Sequence, residues 1–207
     1  MTHAPHESRA ARLITDGLDP KTWIIADTLL IGWHADGVTG IGWGLLGCLF
    51  AAVIPVLFIK YGIRRGRWAD RHLGQKQQRI AVMIFILSSV AIGIGLMAAF
   101  GAPRTMIALI AAMLATLAVL LAVTAGSGEQ EESSRTWKRK ISVHAAVASG
   151  SVAMLALAYG PWALLAYGLV ALVGWSRVEL KDHTVGQVLA GTATGTATAG
   201  SVFWLLG

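Results

Sequence analysis

The sequence predicts an all-α polytopic membrane protein, a bundle of six transmembrane helices preceded by an interfacial helix. Three observations carry this expectation. The chain is 55% hydrophobic and only 14% charged, with a mean hydropathy of +0.63, whereas soluble domains carry about 25% charged residues. Its apolar residues come in blocks of roughly 20, the length that crosses about 30 Å of hydrocarbon as a helix. The cations collect between those blocks instead of being scattered through them.

Five blocks read as spans, 41–63, 79–101, 105–125, 142–160 and 184–206, and a shorter sixth lies at 162–176. Gly160-Pro161 marks a tight turn between the fourth and fifth, and Gly101-Ala102-Pro103 does the same between the second and third. Residues 22–36 are apolar but interrupted by Asp27, so a helix lying in or partly inserted through the interface is expected there. The first 20 residues mix charges and lack an apolar run followed by a small-residue cleavage site, and they read as a polar tail. The organisation expected is therefore a tail with its interfacial helix over 1–40 and a membrane domain over 41–207. In the last span, Gly191 and Gly195 have the GxxxG spacing that suits close helix packing. Cys48 stands alone inside an apolar block, which leaves no disulfide framework and no cysteine metal cluster.

Six crossings bring the loop 60–79, the loop 126–141 and the junction 176–183 to one side. Thirteen of the 17 Lys and Arg lie there. With residues 22–36 not crossing, Arg9, Arg12, Lys21 and Arg104 fall on the other side. Positive charge is retained on the cytoplasmic face, so the basic face is expected to be cytoplasmic and the protein to be a multi-pass cell-membrane protein. The pI near 9.9 arises from that face without any nucleic-acid recognition module, so no nucleic-acid partner is expected.

Three histidines, His72, His144 and His183, fall on or just inside the basic face, each near a span end. An ionisable group at membrane depth costs several kcal/mol unless it has a partner or a task. Histidine offers a nucleophile and a proton donor near neutral pH, and arginine offers a planar fork matched to phosphate oxygens. A phosphate-handling site follows from that combination. The bland alternative is a set of polar anchors at helix ends.

Ser176-Arg177, five residues and then His183 resembles the third signature of the type-2 phosphatidic acid phosphatase superfamily. Ser142-Val143-His144 resembles that family's second signature, Ser-Gly-His, and the likeness covers roughly residues 41–207. The resemblance implies transfer of a phosphoryl group from a lipid phosphate or diphosphate to water through a phosphohistidine, with no metal and no cofactor. It implies that His183 is the nucleophile and His144 the general acid, while Arg177 and Ser142 hold the phosphate oxygens. The expected substrate class is a prenyl phosphate or diphosphate, with a phosphatidate-type glycerolipid next.

Two departures stand out. The family's acidic residue four positions after the nucleophile is here Gln187, whose amide oxygen can accept the imidazole proton one turn away but cannot stabilise imidazolium as a carboxylate does. Asp70 or Asp182 is a candidate substitute, although Asp182, adjacent to His183, is expected to point elsewhere on a helix. The first signature, Lys, six residues, Arg-Pro, is missing before the second. Lys140 in the preceding loop, and Asp70, His72, Lys76 and Arg79 entering the second span, are the candidates to complete the phosphate site. Two other function classes remain open: an anionic-lipid binding or transport protein that uses the basic face without catalysis, and a metal enzyme with His72, His144, His183 and Asp70 as ligands.

Overall fold

The computed structural model describes residues 8–66, 76–126 and 141–207. All regular structure among them is helical: α1 (Arg9–Gly17), α2 (Pro20–Cys48), α3 (Ile54–Arg64), α4 (Lys76–Ala99), α5 (Arg104–Gly126), α6 (Val143–Tyr159), α7 (Tyr167–Glu179) and α8 (Val185–Leu206). Four helical segments, 9–64, 80–99, 104–126 and 161–179, are long and apolar enough to cross a membrane, and Val143–Tyr159 is apolar but shorter. Leu165 and Trp204 are 85% and 71% exposed, and an apolar surface of that kind is stable against lipid, not water. The fold is that of a membrane protein.

The sharpest feature is the reversal inside α2. Asp36 and Gly37 leave helical geometry, and Gly37 has φ 53° and ψ −128°, a conformation that only glycine adopts without strain. The chain folds back so that Gly32 faces the Gly40 carbonyl and Gly44 faces the Thr28 carbonyl. Any side chain at these glycines would collide with the opposite backbone, so their absence is what lets the two limbs close. The first limb runs lengthwise beside α6: Trp23 packs on Ala148 and Val152, and the Tyr159 hydroxyl donates to the Leu30 carbonyl. Residues 22–36 therefore lie along the bundle; of the two expectations from sequence, an interfacial or a partly inserted helix, this lengthwise packing departs from the first. Asp27 did not prevent this because it is fully buried and faces α6, where Ser151 is its polar neighbour. Neither of its carboxyl oxygens has a hydrogen-bond partner among the described residues.

The second limb continues through a π-helical segment, Leu49–Val53, into α3. Pro55 explains the widening, because it has no N–H to donate one turn back. Ser89 of α4 donates its hydroxyl to the Phe50 carbonyl at 2.7 Å, which ties the distorted segment to the next helix. Stacked Phe58 and Phe85 rings, 3.7 Å apart, join α3 to α4.

The two expected turns are present. Gly101, at φ 76°, turns α4 into α5, and Gly160, at φ 103°, turns α6 into a 3-10 segment, Pro161–Ala166, that leads into α7. Contacts at the helix ends define two poles. At one, Arg104 Nε donates to the Leu206 carbonyl at 2.8 Å, and Tyr159 meets Leu30 and the His34 ring. At the other, the Thr15 hydroxyl donates to Ser176 Oγ at 3.0 Å, and the Ser142 N–H donates to the Gln187 carbonyl at 3.2 Å. Because the first limb of α2 runs from one pole to the other, α1 with Arg9 and Arg12, and Lys21 at the start of α2, sit at the Ser176 pole with Arg177. The sequence expectation had put these three cations opposite.

Candidate functional site

α6 and α8 begin side by side. Ser142 caps α6 by accepting the Ala145 N–H at 3.4 Å, and Thr184 caps α8 by accepting the Gln187 N–H at 3.3 Å while Gln187 Oε1 accepts the Thr184 N–H at 3.1 Å. This reciprocal arrangement, Thr-x-x-Gln, satisfies two of the N–H groups that every helix start leaves open. The helices close on each other because α8 carries glycine at the contact: Gly191 meets the Ser142 carbonyl and Gly195 meets the Ala146 carbonyl and Ser149 Oγ. Two adjacent helix N-termini concentrate partial positive charge and free N–H groups, a setting that suits an anion.

His144 lies in the first turn of α6 and His183 directly precedes the cap of α8; both are half-buried. His183 Nδ1 is 3.2 Å from Gln187 Oε1. Since an amide oxygen only accepts, this contact selects the Nδ1–H tautomer and leaves Nε2 as the basic nitrogen. The first helical turn of α8 thus orients the imidazole by the residue one turn on, as the sequence spacing led us to expect.

Arg177 lies in the last turn of α7 and is held by the turn that follows. Its carbonyl accepts two N–H groups, from Asp182 and from His183, each at 3.1 Å. Lys181, at φ 59°, supplies the left-handed residue that makes such a helix ending possible. The Arg177 side chain is 5% exposed and one terminal nitrogen meets Asp182 Oδ2 at 2.9 Å. Asp19, the cap of α2, lies close enough to add a second negative field, and Arg177 Nε has no hydrogen-bond partner among the described residues. Asp182 is therefore the ion-pair partner of the arginine. Ser176 is fully buried and bridges α1 and α7, accepting from Thr15 and donating to the Val173 carbonyl.

Of the other sequence candidates, Ser142 is buried, with its hydroxyl engaged as a helix cap. Lys76 and Arg79 belong to the first turns of α4, but their side chains lie outside the described set. That helix enters beside α6, since Met83 clusters with Ala146. Asp70, His72 and Lys140 lie outside the described residues. Among the described residues no group of three or more His, Cys, Asp or Glu is arranged to hold a metal ion. Sequence reasoning missed Thr15 and Asp19, for which no local signal exists beyond the helix-capping character of Asp19-Pro20. It also missed Thr184, whose capping-box spacing with Gln187 was legible.

Compared with models of protein families, with curated proteins and with solved structures, the chain matches none.

Proposed function

We propose that this protein is a membrane lipid phosphatase that hydrolyses a prenyl phosphate or diphosphate through a phosphohistidine. The observation that carries the reading is the hydrogen bond from Ser142 N–H to the Gln187 carbonyl. It sets two helix N-termini together and brings His144, His183 and Arg177 to one pole of the bundle. In this scheme His183 Nε2 attacks phosphorus as the bond to the lipid oxygen breaks, and His144 donates the proton that the leaving oxygen takes up. Water then attacks the phosphohistidine, His144 accepts its proton, and phosphate leaves. Arg177 and the N–H groups of the helix starts stabilise the equatorial oxygens throughout.

In the membrane, the first limb of α2 adds a crossing to the six expected. Its 16 residues, 20–35, rise about 24 Å, most of the hydrocarbon thickness. Both N-terminal cations and the start of α2 then share the site pole, and the charge rule makes that pole cytoplasmic.

A second reading, anionic-lipid binding without turnover, is favoured by one feature. Gln187 stands where an acid would raise the basicity of His183. Phosphate release from a panel of prenyl and glycerolipid phosphates, with EDTA present, separates the two. Release by the wild type that is lost in His183→Ala and His144→Ala supports the phosphatase. Binding without release supports the second reading, and EDTA-sensitive release points to a metal enzyme.

A further inference from the structure

We infer that Asp27 and Ser151, at the wall of an apolar cavity inside the bundle, bind the ammonium group of a small primary amine whose body of about six carbons fills that cavity. The site is a second one, within the bundle, and it does not depend on the phosphatase reading. Asp27 is fully buried, and neither carboxyl oxygen has a hydrogen-bond partner among the described residues. A carboxyl group at membrane depth is costly unless it has a partner or a task. Its polar neighbour is Ser151 of α6, which is itself buried. From Pro20 to Asp27 the first limb of α2 descends about 10 Å, and from Val143 to Ser151 α6 descends about 12 Å. The two side chains therefore meet well inside the hydrocarbon, away from the histidines at the pole.

A cavity of about 150 Å³ lies against this pair, between the first limb of α2 and helices α4, α5, α6 and α8. Ile24, one turn before Asp27, and Ser151 both line it, so the carboxyl group stands directly behind the wall. The other hydroxyl in the lining, that of Thr116, is already committed to the Ala112 carbonyl. Ser151 is thus the one polar corner of an otherwise apolar space. Turning its side chain to another staggered rotamer opens the carboxylate to the cavity. Few convergent polar groups in an apolar cavity are the usual make-up of a small-molecule site, and a space of this volume holds about six carbons. The charge fixes the class of ligand. A carboxylate beside a hydroxyl offers acceptors and negative charge, and an ammonium group supplies three donors and the opposite charge.

The test uses hexylamine carrying a diazirine at its fifth carbon, photolysed at neutral pH with the full-length protein in a non-ionic detergent, and adducts mapped by mass spectrometry. They are expected on Ile86, Met113 or Met154. Excess hexylamine should suppress them, and excess hexanol, of the same length but uncharged, should not. Asp27→Asn keeps the size of the side chain and removes its charge, and should reduce labelling by about tenfold, the effect of losing a charged hydrogen-bond partner. Ala51→Leu fills the opposite wall and should reduce it by about as much. The comparison of the two competitors is made on the wild type, so a folding defect in either variant does not decide the result. Equal suppression by hexanol, undiminished labelling of Asp27→Asn, or adducts confined to lipid-facing positions such as Leu165 or Leu205 would overturn the inference. Phosphate release plays no part in the readout, so failure of the phosphatase reading leaves this site standing.

Discussion

Gln187 Oε1 stands 3.2 Å from His183 Nδ1, and the same oxygen accepts the N–H of Thr184 at 3.1 Å. One amide oxygen thus fixes both the start of α8 and the tautomer of the imidazole before it. Its weakness is chemical: it carries no charge with which to stabilise imidazolium.

On the proposed phosphatase reading, replacing that amide by a carboxylate should accelerate phosphate release. Gln187→Glu keeps the capping geometry, since Glu serves as well as Gln as the partner in a capping box, and adds a charge behind His183. An increase in kcat of about tenfold is expected, whereas Gln187→Ala should lower both kcat and thermal stability. Steady-state phosphate release measures the first and detergent melting curves the second. A Gln187→Glu protein no faster than wild type would show that the imidazole is not limited by its partner.

On the proposed phosphatase reading, the ion pair between Arg177 and Asp182, 2.9 Å long, would compete with phosphate for the guanidinium. Asp182→Asn should therefore lower KM several-fold with little change in kcat. Arg177→Lys removes the planar fork and should cost on the order of a hundredfold in kcat/KM. An unchanged KM in Asp182→Asn would mean that the pair survives substrate binding.

Close approach of α8 to α6 depends on glycine. At Gly191 a methyl group would strike the Ser142 carbonyl, and at Gly195 the Ala146 carbonyl. Gly195→Ala should destabilise by about 1–3 kcal/mol, the usual cost of overpacking, and Gly191→Ala should in addition reduce phosphate release by displacing Ser142. Thermal unfolding and activity measured on the same preparations separate the two effects.

The reversal at Asp36-Gly37 makes a topological statement. In a Cys48→Ala background, Leu13→Cys and Val38→Cys, at positions 67% and 77% exposed, should react with a membrane-impermeant maleimide from opposite sides. Labelling of both from one side would return residues 22–36 to the interface.

Much of this arrangement was legible in the sequence, and the failures have physical causes. The turns at Gly101 and Gly160, the starts of α6 and α8, and the His183–Gln187 contact follow from local rules of spacing. The lengthwise packing of residues 22–36 was not legible because Asp27 breaks the apolar run, while its polar neighbour Ser151 lies 124 positions away on another helix. The Arg177–Asp182 ion pair was not legible, because it forms across the turn between α7 and α8 that the left-handed Lys181 makes.

The central claim is a covalent bond between phosphorus and His183. Rapid acid quenching loses an N-linked phosphate, so the direct measurement is denaturation in alkaline detergent during turnover of a prenyl phosphate, followed by mass spectrometry of the peptide that contains residues 177–187. The account predicts a phosphate on His183, stable in base and lost in mild acid, and absent from His183→Ala. It also predicts that a glycerolipid phosphate will produce less of it. Turnover with no phosphate on this peptide, or an unmodified rate in His183→Ala, would contradict it.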